Sequence, residues 1–146
     1  MQEDLFVHLT NNAIQKWDAN YGAFEEGNIL SYKDASSLLA KDGMNFDFYK
    51  LVDNLILPQC EKSMQSARVT LNKTNRKYCF EIFGYDFMID NELKPWLIEV
   101  NTNPCLEEPN KLLQMYVPRM LDDAFRITLD VMFPPLPHVQ ESGPRR

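Results

Sequence analysis

The stretch "FEIFGYDFMIDNELKPWLIEVNTNP", residues 80–104, constrains the fold more than any other part of the chain. Two segments of alternating apolar and polar residues flank the polar sequence "DNEL", a pattern that predicts an antiparallel β-hairpin. If the chain turns at "DNEL" with the centre of the turn between Glu92 and Leu93, Asp86 lies opposite Glu99 and Gly84 lies opposite Asn101. The hairpin thus brings two carboxylates together on one face of the sheet.

Alternation along the strands predicts a core face and a polar face. The polar face holds Asp86 and Met88 on the first strand and Leu97, Glu99 and Asn101 on the return strand. The residues assigned away from that face are Phe83, Tyr85, Phe87 and Ile89 on the first strand and Trp96, Ile98 and Val100 on the second.

Two like charges directly opposite each other in a sheet are destabilising, so the pair needs compensation. The carboxyls could share a proton, or a lysine such as Lys94 could bridge them. A divalent cation could instead be held by Asp86, Glu99 and the side-chain oxygen of Asn101, which are hard ligands of the kind that magnesium takes, with Gly84 leaving room for Asn101. A fourth reading is a solvated sheet face on which the acids never meet. Spacing alone leaves these readings open.

Weaker patterns predict the elements before the hairpin. Residues 5–9 read as a short strand that enters an irregular loop, and Ser31 caps a helix that ends at Gly43. The residues expected to face inward from this helix are Ala35, Leu38 and Leu39.

A second helix is expected from Asp47 to about Met64, kinked or ended by Pro58. Residues 66–77 read as a surface loop, and the hairpin follows them.

After the hairpin, an apolar stripe predicts a long helix whose Met and Leu residues are core, with Pro118 in its first turn. The predicted domain organisation is one partial domain over residues 1–135 and a disordered tail over 136–146, which includes His138.

Composition excludes several classes of protein. The 146 residues include nine Phe, six Tyr and two Trp, enough for a sizeable core in one domain. A net charge of −6 argues against nucleic-acid binding, and no segment suits a membrane span or signal peptide, so a cytosolic location is expected. The three cysteines are odd in number and lack nearby histidines, so we expect reduced thiols rather than disulfides or zinc ligands.

The whole pattern resembles the tubulin-tyrosine-ligase-like family, whose catalytic region is an ATP-grasp fold. The matching segments are "HLTNNAIQK" at 8–16, "YGAFEEGN" at 21–28, the hairpin stretch at 80–104 and the closing "DDAFRITLDVMFPP" at 122–135. The resemblance implies an α/β (α+β) fold, the carboxyl-terminal portion of an ATP-grasp domain, with an antiparallel sheet and packed helices.

The resemblance also implies an activity and its cofactors. Such an enzyme uses ATP and Mg²⁺ to convert a carboxylate into an acyl phosphate, which an amine attacks to form an amide. The expected partners are tubulin or microtubules, through their acidic tails, and a free amino acid: glutamate, glycine or tyrosine. The sequence "NTNPCLE" leans towards glutamylation. The expected location is the cytoplasm and cytoskeleton, including the cilium or basal body.

Site residues follow from the same resemblance. Asp86, Glu99 and Asn101 match the family's magnesium ligands, and they are also the expected catalytic residues. The resemblance places His8, Leu9, Thr10, Asn11 and Ile98 on the nucleotide, with Thr10 near the ribose and Asn11 near the phosphates. From the residues alone, Thr10 and Asn11 fit an Asx or Ser/Thr turn equally well. The loop at Glu25 and Glu26 is a solvated turn or faces the acceptor peptide, and Lys94 and Trp96 are expected to pack the hairpin.

The family's upstream nucleotide-binding lysines and arginines have no counterpart here. The chain is therefore expected to be an incomplete ligase, inactive alone, or a noncatalytic remnant that binds a protein partner through an exposed sheet edge. A weaker alternative is an ATP-grasp enzyme that acts on small peptides.

Overall fold

The computed structural model describes residues 5–136, which form helices and one two-stranded antiparallel sheet, so the predicted α+β class is confirmed. The chain divides into two compact units, Met1–Cys105 and Leu106–Arg146. His138 and all but the first residue of the predicted tail lie outside the described residues. No helix within the described range is long and apolar enough to cross a membrane.

The first unit begins with two single helical turns, α1 (Leu5–His8) and α2 (Asn12–Gln15). The strand predicted over residues 5–9 is therefore wrong. The Leu9 amide closes a helical turn on the Leu5 carbonyl at 2.9 Å, and the sheet of the described chain contains only the two hairpin strands. A short apolar segment does not specify a strand when no partner strand is available to it.

Helix α3 (Tyr32–Lys41) has the predicted boundaries. The Ser31 hydroxyl caps it by accepting from the Asp34 amide, and Gly43 follows its end with a φ of 81°. Ala35 and Leu39 lie one turn apart and are half-buried, whereas Leu38 is 42 % exposed. The inward placement of Leu38 was wrong because one residue rotates a side chain by about 100° around the helix.

Asp47 caps the next helix as predicted, by accepting from the Tyr49 and Lys50 amides. Pro58 does not end it. Helix α4 (Phe48–Leu51) widens into a π-helical segment, Val52–Ile56, and continues as α5 (Leu57–Leu71), with the proline in the first turn of α5. A proline is tolerated where its missing N–H would have no helical partner. The loop predicted over residues 66–77 therefore begins only at 72.

Strands β1 (Gly84–Ile89) and β2 (Pro95–Asn101) form the predicted hairpin. In the second unit, α6 runs unbroken from Lys111 to Met132, so the prediction of a helix beginning at Pro118 was wrong. The Asn110 side chain caps α6 by accepting from the Leu113 amide, eight residues before an exposed Pro118. Because Pro118 is exposed, water can satisfy the carbonyl that the proline leaves without a partner.

Burial is sparse. Among the described apolar residues only Leu51, Pro95 and Val117 are buried, so the expectation of a sizeable core is wrong for this part of the chain. The predicted core stripe on α6 includes Ile127 at 77 % exposure and Val131 at 74 %. The apolar residues predicted from composition are present, but the described structure leaves many of them open to solvent.

Candidate metal and nucleotide site

The polar end of the hairpin has the predicted register. Gly84 pairs with Asn101, Tyr85 with Val100, and Asp86 with Glu99. Directly opposed residues of an antiparallel pair project from the same face of the sheet. Asp86, Glu99 and Asn101 therefore converge at one place, and both carboxylates are exposed.

A β-bulge between Asp86 and Phe87 shifts the register in the rest of the hairpin. Beyond it Phe87 pairs with Leu97 and Met88 with Trp96. Leu97 consequently lies with Phe87 on the core side, and Trp96 lies on the side of Asp86 and Met88. The predicted faces of Leu97 and Trp96 were wrong because a bulge inserts one residue, and a shift of one residue exchanges the faces of a strand.

The turn explains the shift. Asp90 and Lys94 enclose it, with the Asp90 amide donating to the Lys94 carbonyl at 3.1 Å and Leu93 at a φ of 62°. The turn is thus centred on Glu92, half a residue before the predicted centre, and the bulge restores the predicted register at the carboxylates.

The Asn101 side chain lies between the two acids. Its amide nitrogen donates to Asp86 Oδ2 at 2.8 Å and, more weakly, to Glu99 Oε1 at 3.4 Å. The acids therefore lie on an exposed sheet face, as the solvated reading expected, but both bond to the same amide. In the structure the side-chain nitrogen of Asn101, rather than its oxygen, faces the carboxylates. A neutral amide offsets only part of the repulsion between two charges.

These three side chains fit a magnesium ion by their chemistry. Two carboxylates and an amide oxygen are hard ligands, and Mg²⁺ keeps several waters, which suits an exposed position. A half-turn of the Asn101 amide exchanges its nitrogen for its oxygen. Within the described range, no group of three or more His, Cys, Asp or Glu side chains is placed to hold a metal ion; the third side chain of the group at the hairpin is an amide.

Gly84 lies where this end of the hairpin packs closely against Pro104 and Asn101. A Cβ atom placed on Gly84 would lie 3.1 Å from the Pro104 Cβ and 3.6 Å from the Asn101 Cβ. The tighter contact is with Pro104, so the glycine mainly makes room for the "NTNP" turn that follows β2. The predicted role of Gly84 in leaving room for Asn101 is the lesser of the two.

The opposite side of the hairpin rests on α5. The Ser63 hydroxyl donates to the Cys60 carbonyl at 2.8 Å, so the Tyr85 hydroxyl donates to Ser63 Oγ at 2.7 Å. The Gln59 amide donates to the Pro95 carbonyl at 3.2 Å. A groove of about 610 Å³ lies beside these contacts, and burial raises the pKa of the Cys60 thiol that lines it. All three cysteines are free thiols.

At the turn, Lys94 does not occupy the bridging position proposed for it. Its Nζ lies 3.9 Å from the centre of the Trp96 ring, and the Trp96 indole donates to Asp90 Oδ2 at 2.7 Å. This indole hydrogen bond, followed by the backbone amide of Lys94, lowers the pKa of Asp90. Lys94 and Trp96 therefore stabilise the turn, as their expected packing role implies.

The predicted nucleotide segment, residues 8–11, runs from the last residue of α1 to the residue that caps α2. Asn11 caps α2, since its side-chain oxygen accepts from the Ala13 amide at 2.8 Å. The turn reading of Asn11 is thus confirmed, and a nucleotide role is not tested by it. His8, Leu9, Thr10 and Asn11 are all exposed, as is Ile98 beside Glu99 at 61 %.

Two residues near this segment escaped the sequence reading. The Asn12 side chain donates to a carbonyl in the loop over residues 20–28, and the Gln15 side chain donates to two carbonyls of the turn over residues 6–9. The available signal was the run of amide residues in "TNNAIQ", which favours side-chain bonds to the backbone.

Comparisons with known proteins agree with the sequence patterns. A profile of the tubulin-tyrosine ligase family matches residues 1–139. Tubulin glycylase 3B of Tetrahymena thermophila is 31 % identical over 125 residues, which cover 86 % of this chain and 10 % of the relative. The probable α-tubulin polyglutamylase Ttll1 of the same organism is 31 % identical over 129 residues, covering 87 % and 30 %.

A mammalian relative adds to this pattern. The probable tubulin polyglutamylase TTLL9 of Mus musculus is 36 % identical over 106 residues, which cover 71 % of this chain and 22 % of the relative. The chain thus spans between about one tenth and one third of the length of these relatives. With its profile match along nearly the whole sequence, the chain belongs to the tubulin-tyrosine ligase family.

Proposed function

We propose that this chain is part of an ATP-dependent ligase that adds an amino acid to tubulin tails. The observation that carries the proposal is the convergence of Asp86, Glu99 and Asn101 at the polar end of the hairpin. Two opposed carboxylates joined by one neutral amide are a costly arrangement unless a cation binds there. Membership of a ligase family supports a role for that cation with ATP.

In this proposal Asp86, Glu99 and Asn101 hold Mg²⁺, and the ion neutralises charge on the ATP phosphates when it is bound. His8, Leu9, Thr10, Asn11 and Ile98 bind the nucleotide. Thr10 and Asn11 are exposed and carry short neutral side chains, so they can contact oxygens without competing for the cation. The proposed chemistry is formation of an acyl phosphate, followed by attack of an amine.

The proposed substrates are a free amino acid and the acidic tails of tubulin, and the proposed location is the cytoskeleton, including the cilium or basal body. The names of the relatives support tubulin, since they describe a tubulin glycylase and tubulin polyglutamylases. One of these names refers to glycine and the others to glutamate, so both amino acids remain in the proposal. The chain carries a net charge of −6, so the basic surface that grips an acidic tail belongs to another part of the working enzyme.

Mass spectrometry of tubulin tails tests this function. Tubulin is incubated with Mg²⁺-ATP, with glycine, glutamate or tyrosine, and with either this chain or a longer protein that contains it, and the mass increment identifies the amino acid that is added. The expected result is an increment from the longer protein, with one amino acid, that disappears in Glu99→Gln. The matched control is Glu92→Gln, which makes the same charge change in the hairpin turn. Activity of the Glu99→Gln variant equal to that of the unchanged protein would contradict the proposed role of Glu99.

A noncatalytic binding role is the second candidate, and the exposed apolar side chains favour it. Trp17 is 76 % exposed and Phe24 is 88 % exposed, and neither lies in the proposed metal site. Large exposed apolar residues are typical of surfaces that bind another protein. If this chain pulls down tubulin but neither it nor the longer protein transfers an amino acid under conditions in which a working ligase does, this second function replaces the first.

A further inference from the structure

The amide side chain of Gln15 connects two segments that carry proposed functions. Gln15 is half-buried at the end of α2, and its Nε2 donates to the Phe6 carbonyl at 2.7 Å and the Leu9 carbonyl at 2.6 Å. Both amide hydrogens are therefore used on the turn that leads into residues 8–11. A side chain with two short bonds to one turn fixes the direction in which the chain leaves that turn.

The other side of the same amide meets the loop over residues 20–28. Asn28 Nδ2 donates to Gln15 Oε1 at 3.5 Å, and Asn28 Oδ1 accepts from the Gly22 amide at 2.9 Å. Asn28 has a φ of 53°, a left-handed conformation that asparagine adopts more readily than most residues. Asn28 is thus held in place by contacts that span the whole loop.

Asn12 makes a parallel connection from the start of α2. Its Nδ2 donates to the Gly27 carbonyl at 2.9 Å and to the Tyr21 hydroxyl at 3.0 Å. Helix α2 contains only four residues, too few to be stable by itself. The side-chain amides of Asn12 and Gln15 therefore hold this region in place, as backbone hydrogen bonds between the strands hold the hairpin.

We infer that Gln15 is a positioning residue, which orients residues 8–11 for the nucleotide and ties them to the 20–28 loop. The inference rests on the proposed function, because residues 8–11 are nucleotide contacts only within that proposal. Gln15 acts through the Phe6 and Leu9 carbonyls and touches no reacting group. Its amide has donors for these carbonyls and an acceptor for Asn28, a combination that neither glutamate nor alanine supplies.

The test compares Gln15→Ala and Gln15→Glu with the unchanged chain. Gln15→Glu keeps the size of the side chain but replaces the nitrogen that carries both N–H donors with a carboxylate oxygen, which repels the Phe6 and Leu9 carbonyls. Gln65→Ala is the matched control, since Gln65 donates to Glu61 on the exposed side of α5. We measure Mg²⁺-ATP affinity by calorimetry, Mn²⁺ affinity by electron paramagnetic resonance, and hydrogen–deuterium exchange of peptides that cover residues 6–12 and 20–28.

The expected result for both Gln15 variants is an affinity for Mg²⁺-ATP lower by about five- to tenfold, with faster exchange in both peptides. Mn²⁺ affinity at the hairpin should stay unchanged, and Gln65→Ala should behave as the unchanged chain. Nucleotide affinity and exchange that are unaltered in Gln15→Glu would overturn the inference.

Two further results separate this inference from the proposed function. If the unchanged chain does not bind ATP, the nucleotide assignment fails, while the exchange data still test whether Gln15 holds the two segments. If Gln15→Ala unfolds, Asn28→Gly removes the contact between Gln15 and the loop, together with the bond from the Gly22 amide, and tolerates the positive φ. That variant should speed exchange over residues 20–28 and leave residues 6–12 unchanged; equal exchange in the loop would overturn the link.

Discussion

The hairpin and the region over residues 5–28 position their polar side chains in different ways. At the polar end of the hairpin, backbone pairing places Asp86 opposite Glu99, and Asn101 then bridges them. In residues 5–28, the turns are joined by the side-chain amides of Asn12 and Gln15. This difference shows that the regular backbone pairing of two strands positions many side chains at once. A network of side-chain hydrogen bonds depends instead on each individual contact.

Replacing Gly84 with valine should have the largest effect on the ladder. A Cβ atom there already lies 3.1 Å from the Pro104 Cβ, and valine adds two methyl groups to it. We expect a free energy of unfolding lower by about 1–3 kcal/mol, measured by urea denaturation, and faster exchange in β1 and β2. Ala23→Val is the control, since Ala23 is exposed in the loop. Unchanged stability in Gly84→Val would mean that the "NTNP" turn does not pack as described.

Replacing Asn101 with aspartate should have the next largest effect, because a third carboxylate takes the place of the bridging amide. The bonds to Asp86 and Glu99 are lost and repulsion is added, so we expect destabilisation by about 1–2 kcal/mol without metal. Added Mg²⁺ should restore more stability to this variant than to the unchanged chain. Thermal unfolding with and without Mg²⁺ checks this, with Asn91→Asp in the turn as the control. A loss of stability that Mg²⁺ does not reduce would contradict the metal assignment.

Replacing Asn12 with alanine tests the side-chain network. The variant loses the donors to the Gly27 carbonyl and the Tyr21 hydroxyl, at about 1 kcal/mol for the pair in an exposed setting. Exchange should speed up over residues 20–28 and stay unchanged in the hairpin. Asn54→Ala, in the π-helical segment, is the control substitution. Faster exchange in both regions would show that they unfold together and would remove the contrast between them.

The turn of the hairpin should give the smallest effect, seen as a pH dependence. The Trp96 indole and the Lys94 amide lower the pKa of Asp90, so the stabilisation they give is present above the ordinary carboxyl pKa of about 3.9 and is lost as the pH falls through the lower value. Trp96 fluorescence in a Trp17→Phe background should change below pH ~3.9. The same titration in an added Asp90→Asn should lack that transition. A midpoint at or above the ordinary value would contradict the described bond.

The hairpin was predictable because its pattern has period two and its partner strand is the next segment of the chain. Period and pairing together place Asp86, Glu99 and Asn101, but the bulge escaped prediction because the turn length depends on the left-handed conformation of Leu93. A rule based on alternation therefore misplaced Leu97 and Trp96.

The helices were less predictable where prolines occur. Rules for isolated helices favour a break at Pro58 and at Pro118, but a π-helical segment accommodates the first and solvent exposure the second. In residues 5–28, no periodicity indicates which carbonyl the Gln15 amide will reach. The Gln15 side chain donates to two carbonyls, which belong to residues six and nine positions before it in the sequence.

The central claim is that Asp86, Glu99 and Asn101 together hold a divalent cation, and titration with Mn²⁺ tests it most directly. Electron paramagnetic resonance counts bound and free Mn²⁺ in the unchanged chain, in Glu99→Gln and in Glu92→Gln, each with and without ATP. The account predicts one bound ion per chain, an affinity about tenfold or more weaker in Glu99→Gln, and no change in Glu92→Gln. Equal Mn²⁺ binding by Glu99→Gln and the unchanged chain would contradict it.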